Sequence, residues 1–264
     1  MIRGSYYNGF APRDGMPLYP SLWRGCVGAW APCLGPTGLT LRDWSGYGNH
    51  GTLTNMAADS DWVVHGGAYC LDFDNTDDGV NCGSTNRFAF TSAFSFSCWF
   101  RTFLVSDYVL FCGRFQDVAN TGFLCGVYLS KVFFQLNTVL NTAGATPTVN
   151  TWTHYAATWD GSTIRVYMNA GIPDTAATTS LSAPSTSMWI GNYASPTIAP
   201  MNGQLDDIRL YNRVLNPNEI TLLSRRRGIA YDMMPMTMLY SAAGFQAAWA
   251  LRQRQILGGG GGLG

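Results

Sequence analysis

The chain has 264 residues, of which 47% are hydrophobic and 14% aromatic. This excludes a disordered protein and is ample for one large β domain. Charged residues make up only 12%, and 16 cations balance 16 anions, so the chain has no basic field with which to hold nucleic acid.

The charges are lopsided in kind. Lys131 is the single lysine and Glu219 the single glutamate; the other charged residues are Arg and Asp. Lys and Glu are strong helix formers, and their near absence fits a protein of strands and turns. No apolar run approaches the ~20 residues of a spanning helix. The seven cysteines (26, 33, 70, 82, 98, 112 and 125) form no CxxC pair, and His50, His65 and His154 are too sparse for a zinc site of usual spacing. The odd count leaves at least one thiol unpaired. A Cys26–Cys33 bridge cannot be deduced from spacing.

Residues 1–24, rich in Arg, Pro, Tyr and Gly, read as an extended arm. They lack the apolar core of a secretory signal. The expectation is a protein folded in the cytosol and released by lysis, at a virion or other extracellular surface. Residues 25–224 read as β. Short aromatic or β-branched alternations run over Ala93–Arg101, Tyr108–Gly113, Gly122–Leu129, Val132–Leu136, Thr151–Trp159, Thr163–Asn169 and Gln204–Tyr211. Asp160-Gly161 between two of them signals a hairpin. The repeated spacing, without long helical windows, predicts a two-sheet antiparallel β-sandwich. Asn216-Pro217-Asn218-Glu219 reads as a helix start, so a short helix is expected near 216–223. Arg225-Arg226-Arg227 then marks a boundary, read as a solvated or interface cluster. In the C-terminal arm, 225–264, a Met-rich segment precedes a helix expected near 241–257 and ended by Gly258–Gly262.

Three segments carry a further pattern. The first is VGAWAP at Val27–Pro32 followed by LRDWSGYGNHGTL at Leu41–Leu53. The second is AYCLDFDNTDDGV at Ala68–Val80. The third is MNGQLDDIRLYNRVL at Met201–Leu215, ending in Glu219-Ile220. In this order, with Phe94–Phe100 and Trp152–Asn169 between them, they resemble the laminin-G-like, concanavalin A-like jelly-roll domains over about residues 25–224. The flanks resemble tails on similar domains in phage and environmental sequences. The resemblance implies the jelly-roll fold but leaves function open, since the superfamily includes lectins, adhesion modules and glycanases.

It also implies a metal position. Similar domains place a structural Ca²⁺ between the loop after Asp43 and the Asp of the last long strand; here the matching groups are Asp43, Asn49, the Gly51 carbonyl and Asp206. Asp43 with Ser-Gly-Tyr-Gly-Asn also reads as a metal-free Asx-turn loop. Asp72, Asp74, Asp77 and Asp78 form a second acidic cluster, either turn caps or a calcium or sugar contact.

Catalysis is not expected. The jelly-roll β-glucanases use two glutamates flanking an aspartate on one strand, and glycoside hydrolysis needs an acid and a carboxylate at a fixed separation. With one Glu that motif is absent. Asp206-Asp207 could substitute only if a bulge turned both to one face of the strand. For sugar stacking the candidates are Trp44, Tyr47, Trp62, Tyr193 and Tyr211, in or near loop-like segments; core packing is the other reading, and with nine Trp in the chain it accounts for most of them. For assembly contacts they are Tyr6, Trp23, Arg225, Arg226, Arg227, Phe245, Trp249 and Ile256. The expected role is a non-catalytic structural or surface protein of an assembly, a virion decoration or fibre component or an extracellular filament subunit. Its partner would be a second copy or a capsid or tail scaffold. The other reading is a carbohydrate-binding lectin or adhesion module for cell-surface glycans. A membrane is not an expected partner, because the C-terminal helix offers only Arg252 and Arg254 to lipid.

Overall fold

The computed structural model describes residues 19–105, 108–142, 146–178, 180–193 and 200–233. Tyr6, Phe245, Trp249, Ile256 and the helix expected at 241–257 lie outside them. The strands are β1 (Cys26–Trp30), β2 (Thr40–Leu41), β3 (Gly51–Thr54), β4 (Trp62–His65), β5 (Ala68–Asp74), β6 (Gly79–Asn81), β7 (Phe94–Thr102) and β8 (Val109–Gln116). They continue with β9 (Thr121–Tyr128), β10 (Lys131–Leu136), β11 (Val139–Thr142), β12 (Thr153–Trp159), β13 (Thr163–Met168), β14 (Asp174–Ala177), β15 (Trp189–Ile190) and β16 (Asn202–Tyr211). Helices α1 (Pro217–Ser224) and α2 (Ala230–Met233) follow.

Two antiparallel sheets face each other, as the alternation predicts. The first has the order β14-β13-β12-β7-β16-β5-β4, with β1 also on β16; the second runs β11-β10-β9-β8-β15-β6-β3-β2. Their inner faces share one aromatic core. Phe94 sits at its centre, stacked on Phe90 at 4.5 Å and edge-on to Phe134 at 5.4 Å across the sheets, a geometry that adds to area burial. His154 is a buried strand residue beside Ser97; burial pushes its pKa down to about 3. All seven cysteines are buried and unpaired. Cys26 Sγ faces the Gly28 carbonyl and Cys33 Sγ faces Asp207, so neither approaches a bridge.

Helix α1 starts where the sequence marks it. Asn216 Oδ1 accepts from Glu219 N at 3.0 Å and Glu219 Oε2 accepts from Asn216 N at 3.0 Å, a capping box with Pro217 in the first turn. Arg213 holds the same carboxylate in a fork at 2.7 and 2.8 Å.

The outer face of the first sheet is covered by helix α1 together with parts of what the sequence assigns to the arms. Leu22, Ile220, Leu223, Ile229 and Met233 are buried together there, and Ala230 and Tyr231 are buried beside Ala31, Cys33 and Leu34. The packed unit therefore takes in 19–24 and 225–233, beyond the sequence-based limits of 25 and 224. The arginine run is corrected residue by residue. Arg225 is exposed and Arg226 pairs with Asp232. Arg227 is a bolt rather than a solvated charge. It donates to the carbonyls of His65, Ala68 and Tyr69, pairs with Asp206 at 3.3 Å, and lies over the Trp152 ring at 4.3 Å.

Asp206 is fully buried, so removing Arg227 strands its carboxylate. Arg227→Ala should lower unfolding free energy by about 3–5 kcal/mol in urea titrations. A chain ended at Ser224 should lose at least as much, whereas one ended at Met233 should not.

Candidate functional site

The loop between β2 and β3 is organised by one carboxylate. Asp43 Oδ1 accepts from Ala29 N at 2.9 Å and Ser45 N at 2.8 Å; Oδ2 accepts from Ser45 Oγ at 2.7 Å and Asn49 N at 2.9 Å. Asn49 ties the loop back through Nδ2 to the Val27 carbonyl at 2.8 Å, and Trp30 Nε1 donates to the Asn49 carbonyl at 2.9 Å. Gly46 and Gly48 take φ of +88° and +73°, which only glycine adopts freely. This rigid base carries two aromatic rings. Trp44 is half-buried with the Arg42 guanidinium over it at 4.4 Å. Tyr47 is 50% exposed, with Arg87 over its ring at 4.9 Å.

The calcium set implied by the resemblance does not fit this geometry. A carboxylate offers about four lone-pair directions, and four donors take those of Asp43. Asp206 gathers with Cys33 and Asp207, not with Asp43, and faces Arg227. Gly51 begins β3, paired to Leu41. The acidic residues whose oxygens do converge, within 4.8 Å, are Asp74, Asp77 and Asp78 in the β5–β6 turn. They could hold a cation, and they also cap the turn: Asp78 Oδ2 accepts from Asp74 N at 2.9 Å and Asp74 Oδ1 from Thr76 N at 2.8 Å. Burial, reinforced by the neighbouring carboxylates, pushes Asp78 up to about 6. Asp72 is apart, bonded to Gln204.

The bulge that the sequence left conditional is present. Pairing of β16 with β7 slips between Asp206 and Arg209, and Asp207 takes φ of +50°. Both carboxylates consequently reach Cys33, Asp206 Oδ1 at its N–H (3.0 Å) and Asp207 Oδ1 at its Sγ (3.7 Å). Asp207 pairs with Arg209 at 3.0 Å and accepts from Gly228 N at 2.5 Å. Burial, reinforced by the adjacent Asp207 carboxylate, pushes the Asp206 carboxyl well above the usual carboxylate range. Both residues have 0% exposure beneath residues 225–233. They share a face, but the face is closed.

The other predicted residues divide by burial. Trp62 is buried and donates to the Gly38 carbonyl at 2.9 Å. Tyr193 is buried with its hydroxyl on Asp117 at 2.9 Å, and Tyr211 is fully buried. None of these three presents a ring face to a sugar: Trp62 and Tyr211 pack inward from β4 and β16, and Tyr193 packs edge-on to Phe115. Trp23 is half-buried and donates to the Met233 carbonyl at 2.8 Å.

Sequence reasoning missed the outer face of the second sheet. There Tyr108 and Tyr128 stack at 4.1 Å, both edge-on to Phe133, which lies against Gly126. The signal was available: Val109–Gln116 and Thr121–Tyr128 are apolar at almost every position, so both faces must be covered.

A family model described as the concanavalin A-like lectin/glucanases superfamily matches residues 74–221, more than half of the chain. The chain belongs to this superfamily. No curated protein matches the sequence. Among solved structures, similar folds include domain 4 of AbnA, an extracellular arabinanase from Geobacillus stearothermophilus solved with arabinotriose. It has a TM-score of 0.57 and 16% identity over 76% of this chain and 98% of that one. The binding domain of Paraclostridial Mosquitocidal Protein 1 gives 0.58 and 14% identity over 76% and 52%. Botulinum neurotoxin type C, which depends on two ganglioside molecules to reach the cell interior, gives 0.56 and 14% identity over 76% and 50%. This chain spans about half of the two toxin structures, and all three likenesses are of fold.

In this superfamily member the Asp43 loop is predicted to stand on its charge. Asp43→Asn keeps the size but replaces an acceptor oxygen with a donor, opposing at least one N–H. Thermal or urea unfolding should show a loss of about 2–3 kcal/mol, and added Ca²⁺ should not restore it.

Proposed function

We propose that the chain is a non-catalytic surface module that binds carbohydrate through the 42–50 loop and is held in place by its flanking segments. The observation carrying the first part is Tyr47, half-exposed on a loop fixed by Asp43 and beside Trp44, Arg42 and Arg87. Sugar rings pack on aromatic faces while their hydroxyls accept from guanidinium groups. Loops on a rigid sandwich are where binding residues concentrate. Membership in a superfamily of lectins and glucanases, and neighbours solved with an arabino-oligosaccharide or dependent on gangliosides, favour the same ligand class.

Absence of catalysis rests on the carboxylates. Hydrolysis needs an acid and a carboxylate facing one opening. Glu219 is engaged by Asn216 and Arg213, Asp206 and Asp207 are sealed, and Asp74 and Asp78, which converge with Asp77 in the β5–β6 turn, accept from that turn's own N–H groups.

One observation favours a role for the flanks. The chain enters the described region at Tyr19 and leaves it at Met233 from neighbouring points, joined by the Trp23–Met233 hydrogen bond. Tyr19 and Met233 thus pack against one cluster on the outer face of the first sheet, next in sequence to segments 1–18 and 234–264. In this reading those segments bind a second copy or a capsid or tail scaffold, at a virion or other extracellular surface, and the rest of the sandwich points away.

A glycan array probed with the full chain should give saturable binding that Tyr47→Ala weakens at least about tenfold, or about 1.4 kcal/mol, without shifting the melting temperature. Failure to bind any glycan, or indifference to Tyr47→Ala, sinks the carbohydrate reading. Light scattering should give a defined oligomer for the full chain and a monomer for residues 19–233. Monomers in both cases remove self-assembly.

A further inference from the structure

Arg227 fastens the 225–233 cover to the first sheet, and another side chain lies against Arg227 in turn. Trp152, in the connection before β12, is half-buried with its ring 4.3 Å from the Arg227 guanidinium. Its indole N–H is spent on one acceptor: Trp152 Nε1 donates to His65 Nδ1 at 2.8 Å. His65 ends β4, the edge strand of that sheet, and its own carbonyl accepts from Arg227. Imidazole, indole and guanidinium therefore form a closed ring of contacts. It sits at an edge, where His65 is only half-buried and within reach of solvent protons.

These contacts exist in one protonation state only. An indole N–H can only donate, so His65 Nδ1 must present a lone pair and the imidazole must be neutral. In the imidazolium both nitrogens carry protons, so neither orientation of the ring offers Trp152 an acceptor.

Protonation also adds a cation among like charges. Arg227 and Arg101, the latter from β7, both bear on His65. Arg101 is engaged by Asn150 and Gln204, and Gln204 by Asp72 on β5. Asp206, on β16, is taken by Arg227 at 3.3 Å. From β5, Tyr69 gives its carbonyl to Arg227, and Cys70 Sγ faces the Val63 carbonyl. Among the described residues no carboxylate is in an ion pair with His65.

Burial, then Arg101 and Arg227, hold His65 below the ordinary imidazole value of 6.5. The fold thus favours the neutral ring. Its contribution is full above that ordinary value and is lost as pH falls through the lowered one. Asp206 has the opposite sign. Burial raises its carboxyl, so its protonation favours the folded form and does not account for a loss in acid.

We propose that His65 is a pH-sensitive latch on the C-terminal cover: neutral, it holds Trp152 against Arg227 and the run 225–233 stays fastened; protonated, it frees Trp152 and loosens Arg227, so this edge of the molecule opens in mild acid. The latch rests on neither the glycan nor the assembly reading.

The test is hydrogen exchange read by mass spectrometry on the full chain at about pH 7.5 and about pH 5, either side of the imidazole range. Peptides from 225–233 are compared with peptides from the core strand β10, with intrinsic exchange rates divided out at each pH. Relative protection of 225–233 should fall at least about fivefold in acid. His65→Asn keeps an acceptor oxygen on a side chain that does not titrate, and should leave the cover closed at both pH values. Trp152→Phe keeps a ring against Arg227 but removes the indole N–H. In that variant the NMR titration of His65 should move up toward the ordinary imidazole value, a shift that loss of packing alone would not give. Protection of 225–233 that ignores pH, His65→Asn as acid-sensitive as the wild type, or a His65 titration unmoved by Trp152→Phe would each overturn the proposal.

Discussion

The outer layer of this protein hangs on a buried pair of carboxylates. Strand β16 is flanked by β5 at its start and by β1 at its end, and Asp206 and Asp207 stand where one partner stops and the other begins. At that gap the strand bulges, so both acids leave on the same side. They collect the Cys33 N–H, the Gly228 N–H, Arg209 and Arg227. Two adjacent buried anions are tolerable only with such partners. The partners come from three separate stretches, so satisfying the pair seats the segment around Cys33 and the run from Arg227 to Met233. Tyr231 completes the seat by donating to the Cys33 carbonyl.

The two outer faces are closed by different means, and this decides where recognition can occur. On the first sheet, chain flanks and helices seal the surface over Asp206 and Asp207. On the second, the strands' own aromatics lie over glycines at Gly113 and Gly126, where an added Cβ would strike Leu124 and Tyr193 or the backbone of Val109. What stays open is the set of connections: the Asp43 loop, the β5–β6 turn and the β9–β10 turn at Leu129.

Local signals were legible and long-range ones were not. The capping box at Asn216–Glu219 lies within four residues, so its chemistry is complete in the sequence. Asp160-Gly161 likewise closes the β12–β13 hairpin, with Asp160 Oδ1 accepting from Ser162 and Thr163 N–H groups. The alternation in Thr151–Trp159 marked a strand because period two needs no partner to be read. Arg227 was misread because its acceptors lie at residues 65–69 and 206, and an arginine triplet looks the same whether solvated or bolted down. The bulge was stated as a condition but could not be asserted, since a positive φ at Asp207 is imposed by groups from elsewhere. Of the five stacking candidates, Tyr47 alone stands exposed, with Trp44 half-buried; exposure of an aromatic residue depends on the layer above it, which local pattern does not encode.

A chain with 12% charged residues has few charges with which to choose a partner, so the proposed recognition falls to aromatic faces and positioned arginines. The guanidiniums over Trp44, Tyr47 and Phe103 each rest on a ring that stays at least partly in contact with solvent. A cation on a ring is worth only about 0.5–1 kcal/mol when exposed and more once water is removed. Such pairs therefore add little to the free protein and gain strength when a ligand covers them. The single lysine, Lys131, carries a flexible, strongly hydrated ammonium and is exposed, whereas the carboxylate of Glu219 is gripped by the planar fork of Arg213.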